Sequence, residues 1–172
     1  MERLTFAVTG GKVEGRTLSG TAHVYGTVTT DGRNHSFAPG AFIRSIAAGK
    51  VKSFAWHDES KLLASQKAGT LRLTDGETLG VAIDLPSASY AEDLKGLAER
   101  GEDLGFSFSV IPKASRLVKG VRIFSDAELV SVDPVAMPAF EGTSVILNSA
   151  EEPETAQSQT IKIRARRWAG MC

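Results

Sequence analysis

The run KSFAWHDES, Lys52 to Ser60, places a histidine behind two aromatic residues and directly ahead of two carboxylates, Asp58 and Glu59. His57 in that setting is either a general base at the end of a strand or a polar residue in a turn. What the rest of the chain supplies decides between them. The nucleophile candidates lie in Gly105-Phe106-Ser107-Phe108-Ser109-Val110, where hydroxyl and aromatic side chains alternate. On a strand, Ser107 and Ser109 then share one face and Phe106 and Phe108 the other. With the phenylalanines turned to a core, the serines face a groove. A serine nucleophile needs a base to take its proton and a third group to orient that base. All three histidines, His23, His35 and His57, precede Ser107, so the third group must be a carboxylate. Asp126, Glu128 and Asp133 are the candidates on the next strand-forming stretch. Within Leu129-Val130-Ser131-Val132-Asp133, residues 129, 131 and 133 are expected on one face, with Asp133 projecting just before Pro134. Asp58 reads as a local turn or helix-entry residue, because neighbours on a strand point to opposite faces.

Other chemistries find less support. The histidines and the single cysteine, Cys172, show no metal-ligand spacing such as HExxH or paired CxxC. Gly10-Gly11-Lys12 lacks the rest of a phosphate-binding loop, and no GxSxG elbow occurs. One cysteine allows no internal disulfide. Neither a metal nor a cofactor is expected.

The elements that must position these residues are mostly strands. Leu4 to Val8, Leu18 to Val28, Thr70 to Thr74, Leu79 to Leu85, Leu104 to Ile111, Val118 to Phe124, Leu129 to Val135 and Ser144 to Leu147 are the candidates. Leu79 to Leu85 carries the clearest period of two, and Gly20 and Gly26 suit bulges or bends in a curved sheet. Many short strands separated by turn residues predict a barrel or a sandwich. Two helices interrupt them. Pro39 is placed to start the first, Phe42 and Ile46 share a face of it, and Gly49 is placed to end it. The second follows Pro86, with Ser87 or Ser89 as cap, Glu92 and Asp93 in its first turn, a Tyr90-Leu94-Leu97 stripe and Gly101 at its end.

The 172 residues suffice for one domain with a full core, and 20 basic and 20 acidic side chains cancel. That balance implies no general attraction to nucleic acid or to an anionic membrane. No apolar run approaches a membrane span, and MERLTF does not read as a signal peptide, so a cytosolic protein is expected. Residues 1–148 are read as the folded domain. Residues 149–172 are read as a flexible acidic linker, SAEEPETAQSQT, followed by a basic tail, IKIRARRWAGMC.

Four motifs then carry a family resemblance. FAPGAF (Phe37 to Phe42), WHD (Trp56 to Asp58), GFSFS (Gly105 to Ser109) and LVSVDPVAMPA (Leu129 to Ala139) stand in the order and approximate spacing of the tailed-phage prohead maturation proteases. These are distant relatives of the herpesvirus assemblins, and the resemblance spans roughly Thr17 to Leu147. It implies a mainly β fold with a few helices (α+β): a closed or partly open antiparallel β-barrel flanked by short helices, as in the herpesvirus proteases. It further implies a serine endopeptidase, acting in the host cytoplasm inside the assembling prohead. Scaffold segments and the major capsid protein would be its substrates, it would cut itself, and self-association as a homodimer is plausible. No nucleic-acid or membrane partner is implied.

His57 falls on the family's catalytic histidine and Ser107 on its nucleophile. The serine strand of the family usually reads Gly-Leu-Ser-Ile-Gly-Phe, and Ser109 replaces its second glycine here. The last motif usually reads Leu-x-Glu-Val-Ser-x-Val-x-x-Pro-Ala. Aligning Pro138-Ala139 puts Ser131 at the usual glutamate and Asp133 at the usual serine, so Asp133 becomes the expected third member, with Glu128 its rival. Arg116 and Arg122, which follow the serine strand, are candidates for supporting an oxyanion. The altered acid motif also keeps open a protease-like domain without activity that serves as a capsid assembly scaffold.

Overall fold

The computed structural model describes residues 4–9, 11–29 and 33–136. In chain order the elements are β1 (Leu4–Thr9), β2 (Gly11–Glu14), β3 (Thr17–Val24), β4 (His35–Phe37), α1 (Ile43–Ala47), β5 (Lys52–Phe54), β6 (Leu62–Ser65), β7 (Leu71–Asp75), β8 (Thr78–Asp84), α2 (Ser89–Glu99), β9 (Gly105–Val118) and β10 (Val121–Val135). The strands form two sheets. One has the order β1-β9-β10-β5-β6, with β4 also on β10, and the other the order β2-β3-β8-β7. The chain is thus mainly β with a few helices, as the sequence implied. Among the described residues no pairing closes either sheet into a barrel. The first sheet is also not purely antiparallel, because β4 and β5 both run parallel to β10, whereas every pair in the second is antiparallel.

Alternation decides how the layers meet. Leu79, Val81 and Ile83 of β8 are buried while the residues between them are partly exposed, the pattern of a half-covered strand. They join Phe106, Phe108 and Val110 of β9 in one core, with Phe37, Phe42 and Phe124. Ring centroids in this aromatic cluster are 5.0 Å apart for Phe37 and Phe42 and 5.6 Å for Phe42 and Phe108. Full burial of each such ring contributes about 1.5–3 kcal/mol. His23 of β3 lies inside the cluster, edge-on to Phe37 and Phe108, and neither ring nitrogen has a hydrogen-bond partner. Burial holds its pKa down at about 4.

β9 and β10 form a long hairpin closed by Lys119 and Gly120, both left-handed at φ +49° and +80°. That is the two-residue turn whose twist suits an antiparallel pair. The expected strands Val118 to Phe124 and Leu129 to Val135 prove to be one strand, apart from Val118, which ends β9. Polar Ser125 and Asp126 do not break it, since irregular pairing near Asp126 absorbs them. The segment from β4 to β5 runs along the other edge of β10. Ala38 N donates to Phe124 O (2.9 Å), Ala127 N to Ala41 O (3.0 Å) and Leu129 N to Ser45 Oγ (2.8 Å) before Lys52 pairs with Ser131.

Both helices are shorter or differently capped than expected. Pro39 lies in a turn ahead of α1, which begins only at Ile43, whereas Gly49 closes it at φ +67°. No serine caps α2: its first residue is preceded by Ala88, and no side chain bonds to its free N–H groups. Tyr90 and Leu97 are partly buried and Leu94 fully. The expected strand Ser144–Leu147 and the tail from residue 149 onward lie outside the described residues.

Candidate active site

β5 brings His57 to the hairpin. After Lys52 pairs with Ser131, the chain leaves β10 in a 3-10 turn, Ala55–His57. Trp56 (φ +57°, ψ +31°) and His57 (φ +61°) are both left-handed, a conformation that costs side-chain-bearing residues of order 1–3 kcal/mol each. Successive residues held this way need outside anchors. Phe54 N donates to Asp133 Oδ1 at 2.8 Å, so a carboxylate takes the place of a ladder acceptor where the strand turns away. His57 Nδ1 lies 2.6 Å from Asp133 Oδ2. Asp58 N closes the turn on Ala55 O at 2.9 Å.

Asp133 is fully buried, at 0% side-chain exposure, while His57 is 33% exposed. Ser131 Oγ donates to Asp133 Oδ2 at 2.7 Å. The carboxylate therefore meets a backbone N–H, a hydroxyl and an imidazole, which offsets the cost of burying it. With Nδ1 turned to Asp133, Nε2 is the ring nitrogen left to exchange a proton elsewhere.

Ser107 is the cross-strand partner of Asp133, and Ser109 of Ser131. Directly opposed residues present their side chains on one face, about 5 Å apart at Cβ. The face expected to hold Leu129 together with Ser131 and Asp133 is split, however. A register shift between Leu129 and Ser131 leaves Leu129 opposite Val110, on the phenylalanine side, and moves Ser131 and Asp133 to the serine side. The serine side is no open groove either. Gly105 to Val110 is buried throughout, with β1 on one flank and β10 on the other, and Ser107 is 2% exposed. The polar alternation is real, but it faces packed structure rather than solvent.

The remaining candidates lie apart. Glu128 is exposed and paired with Lys113 at 2.7 Å, which holds its pKa below the usual carboxylate range. It lines a pocket of about 380 Å³ with Arg44, Lys50 and Leu129, in which Arg44 is paired with Asp126 at 2.7 Å. Asp58 accepts from Ser60 Oγ (2.6 Å) and Ser60 N (3.0 Å), and these bonds with Lys61 lower its pKa to about 2. It is a turn residue as expected, although the reason is the 3-10 turn rather than strand alternation. Arg116 lies nine residues along β9 from Ser107, a separation of about 30 Å on an extended strand. Arg122 pairs with Leu117 at the same far end, so neither arginine reaches the serine. Among the described residues no cluster of three His, Cys, Asp or Glu could hold a metal, and no helix is long and apolar enough to cross a membrane.

Two contributors escaped the sequence: the Ser131 hydroxyl and the Phe54 amide. Ser131 carried a signal, since its place two residues before Asp133 puts both on one side of the strand.

No curated protein sequence matches the chain. Among solved structures, the capsid assembly protease of bacteriophage T4 matches at a TM-score of 0.50 and 11% identity, covering 80% of this chain and 98% of that one. The likeness is one of fold. Residues 6–158 match the family described as caudovirus prohead serine protease. With the match running over most of its length, the chain belongs to that prohead serine protease family.

Proposed function

We propose that the protein is a serine endopeptidase of phage prohead maturation, with Ser107 as nucleophile, His57 as general base and Asp133 as the acid behind it. The observation that carries this reading is the contact of 2.6 Å between His57 Nδ1 and a buried carboxylate that stands directly across the hairpin from Ser107. In this mechanism His57 Nε2 takes the Ser107 hydroxyl proton as Oγ adds to the scissile carbonyl. The imidazolium then returns that proton to the leaving amine, and an ester to Ser107 remains. A water, deprotonated by the same nitrogen, cleaves the ester. Asp133 keeps the Nδ1 hydrogen in place and stabilises the charge that His57 acquires. The family and its capsid assembly role point to scaffold and capsid-protein segments as substrates, cut inside the prohead in the host cell. Residues 149–172 supply a further substrate, the chain itself: the acidic stretch Ser149–Thr160 has little apolar surface to bury.

The 2% exposure of Ser107 favours a second reading, an inactive protease-like module that acts in capsid assembly. A serine-directed fluorophosphonate separates the two. Labelling of wild type at Ser107, absent from Ser107→Ala, supports the enzyme. A folded wild-type protein that stays unlabelled and leaves capsid-protein and scaffold peptides intact supports the module. Intact-mass measurement of wild type and Ser107→Ala after incubation tests self-cleavage: only the wild type should lose part of 149–172.

A further inference from the structure

We infer that Ser131 is a positioning residue for the reaction, fixing the Asp133 carboxylate so that its Oδ2 is aimed at His57 whether or not His57 is in place. The inference rests on the functional reading above and concerns a residue that this reading leaves unused. Asp133 is held at two points that do not involve the histidine: Phe54 N on Oδ1 at 2.8 Å and Ser131 Oγ on Oδ2 at 2.7 Å. One donor on each oxygen fixes the plane of a carboxylate, which a single donor leaves free to turn. Both Ser131 and Asp133 are at 0% exposure, so water cannot substitute for the hydroxyl.

The two anchors differ in what they depend on. The Phe54 amide belongs to the segment that carries His57, so it moves with that turn. Ser131 shares the strand and the face of Asp133 two residues away, and only its side-chain rotation separates it from the carboxylate. The hydroxyl is thus the part of the acid's support that does not depend on the turn. His57 is the most exposed member of the group and stands on two successive left-handed residues, so it is the member most in need of a fixed acceptor. Without the Ser131 hydroxyl, the two remaining partners, Phe54 N and His57 Nδ1, both belong to the histidine segment, so turn and carboxylate would shift together.

Ser131→Ala is the test, assayed beside Ser107→Ala and Asp133→Asn on a capsid-protein peptide. We expect kcat to fall about 10- to 100-fold, the size of a hydrogen bond to a charged group, with KM within about twofold. Ser131→Thr, which keeps a hydroxyl, should recover most of that loss. The downfield proton resonance of the His57 Nδ1 hydrogen gives a readout on the resting protein. It should broaden or move upfield in Ser131→Ala and stay in place in Ser131→Thr. An unchanged kcat in Ser131→Ala overturns the inference, as does a loss that follows melting temperature and is not recovered by threonine. If Ser107→Ala and Asp133→Asn retain wild-type activity, the functional reading fails instead. In that event, or in a protein inert to every peptide, the resonance alone decides: unperturbed in Ser131→Ala, it sinks the positioning role.

Discussion

The two halves of the β9–β10 hairpin are built from one pair of strands and live in different surroundings. In the half away from the turn, Gly105 to Val110 is buried on both faces, and Ser131 to Pro134 opposite it is equally buried. In the half toward the turn, Lys113 to Val118 is exposed, and Leu117 reaches 67% exposure. The same residue types consequently do different things. Asp133 in the buried half meets three partners, Phe54 N, Ser131 Oγ and His57 Nδ1, whereas Glu128 nearer the turn pairs with a lysine beside solvent. A carboxylate becomes a candidate for chemistry when the fold removes water from it and replaces that water with chosen donors. Position on a strand alone confers nothing.

The largest expected difference between the halves is in turnover. Ser107→Ala should reduce peptide cleavage to background, and Asp133→Asn should lower kcat by about 10⁴-fold, the loss known for this change in another serine protease. Cleavage rates of purified variants on a capsid-protein peptide check both. A near-wild-type Asp133→Asn enzyme would remove the contrast altogether.

Packing should divide the hairpin next. Phe108→Ala, in the aromatic cluster, should cost about 3–5 kcal/mol, while Leu117→Ala should stay within about 0.5 kcal/mol. Urea denaturation of the two variants compares them directly, and similar midpoints would show that the outer half is packed in solution.

Acid should act on the buried half through His23, which packs on Phe108. Its pKa is about 4 in the folded chain against an ordinary 6.5, so between these values the unfolded chain binds the extra proton. Stability is therefore fully present above pH 6.5 and falls as pH drops toward 4, by on the order of 3 kcal/mol. His23→Phe should flatten that part of the stability curve, and an unchanged slope would assign the acid sensitivity elsewhere.

Smallest of all should be the effect of Glu128→Gln in the open half, with kcat/KM within about twofold of wild type. A loss approaching that of Asp133→Asn would move the acid to the other half of the hairpin and break the comparison.

Much of the sheet architecture is written in side-chain pattern. The alternation of Leu79, Val81 and Ile83 gives β8 directly, because one face of that strand is covered and the other is not. Where both faces are covered, the same logic misleads. Ser107 and Ser109 look like a solvent face, although packed structure lies on both sides of β9. β4 and β5 have three residues each and pair in parallel with β10, too short to carry any period. The bulge after Leu129 is invisible as well, since nothing in Leu-Val-Ser marks which residue will be skipped in the register. The contact of His57 with Asp133 spans 76 residues, and no local pattern encodes such a distance. The parallel run of residues 35–54 along β10 brings those residues together in space.

That same run has a consequence for the order in which the chain is made. Ser107 and Asp133 belong to one hairpin and can meet as it zips from Lys119 and Gly120, whereas His57 must be captured from much farther along the chain. Contacts of long sequence separation form late, because the entropy of closing the loop precedes any reward. During synthesis His57 and Ser107 both emerge before Asp133, so the histidine turn waits for an acceptor carried by β10. On the catalytic reading proposed above, the base would stay unposed until the hairpin is complete, so activity would have to wait for β10.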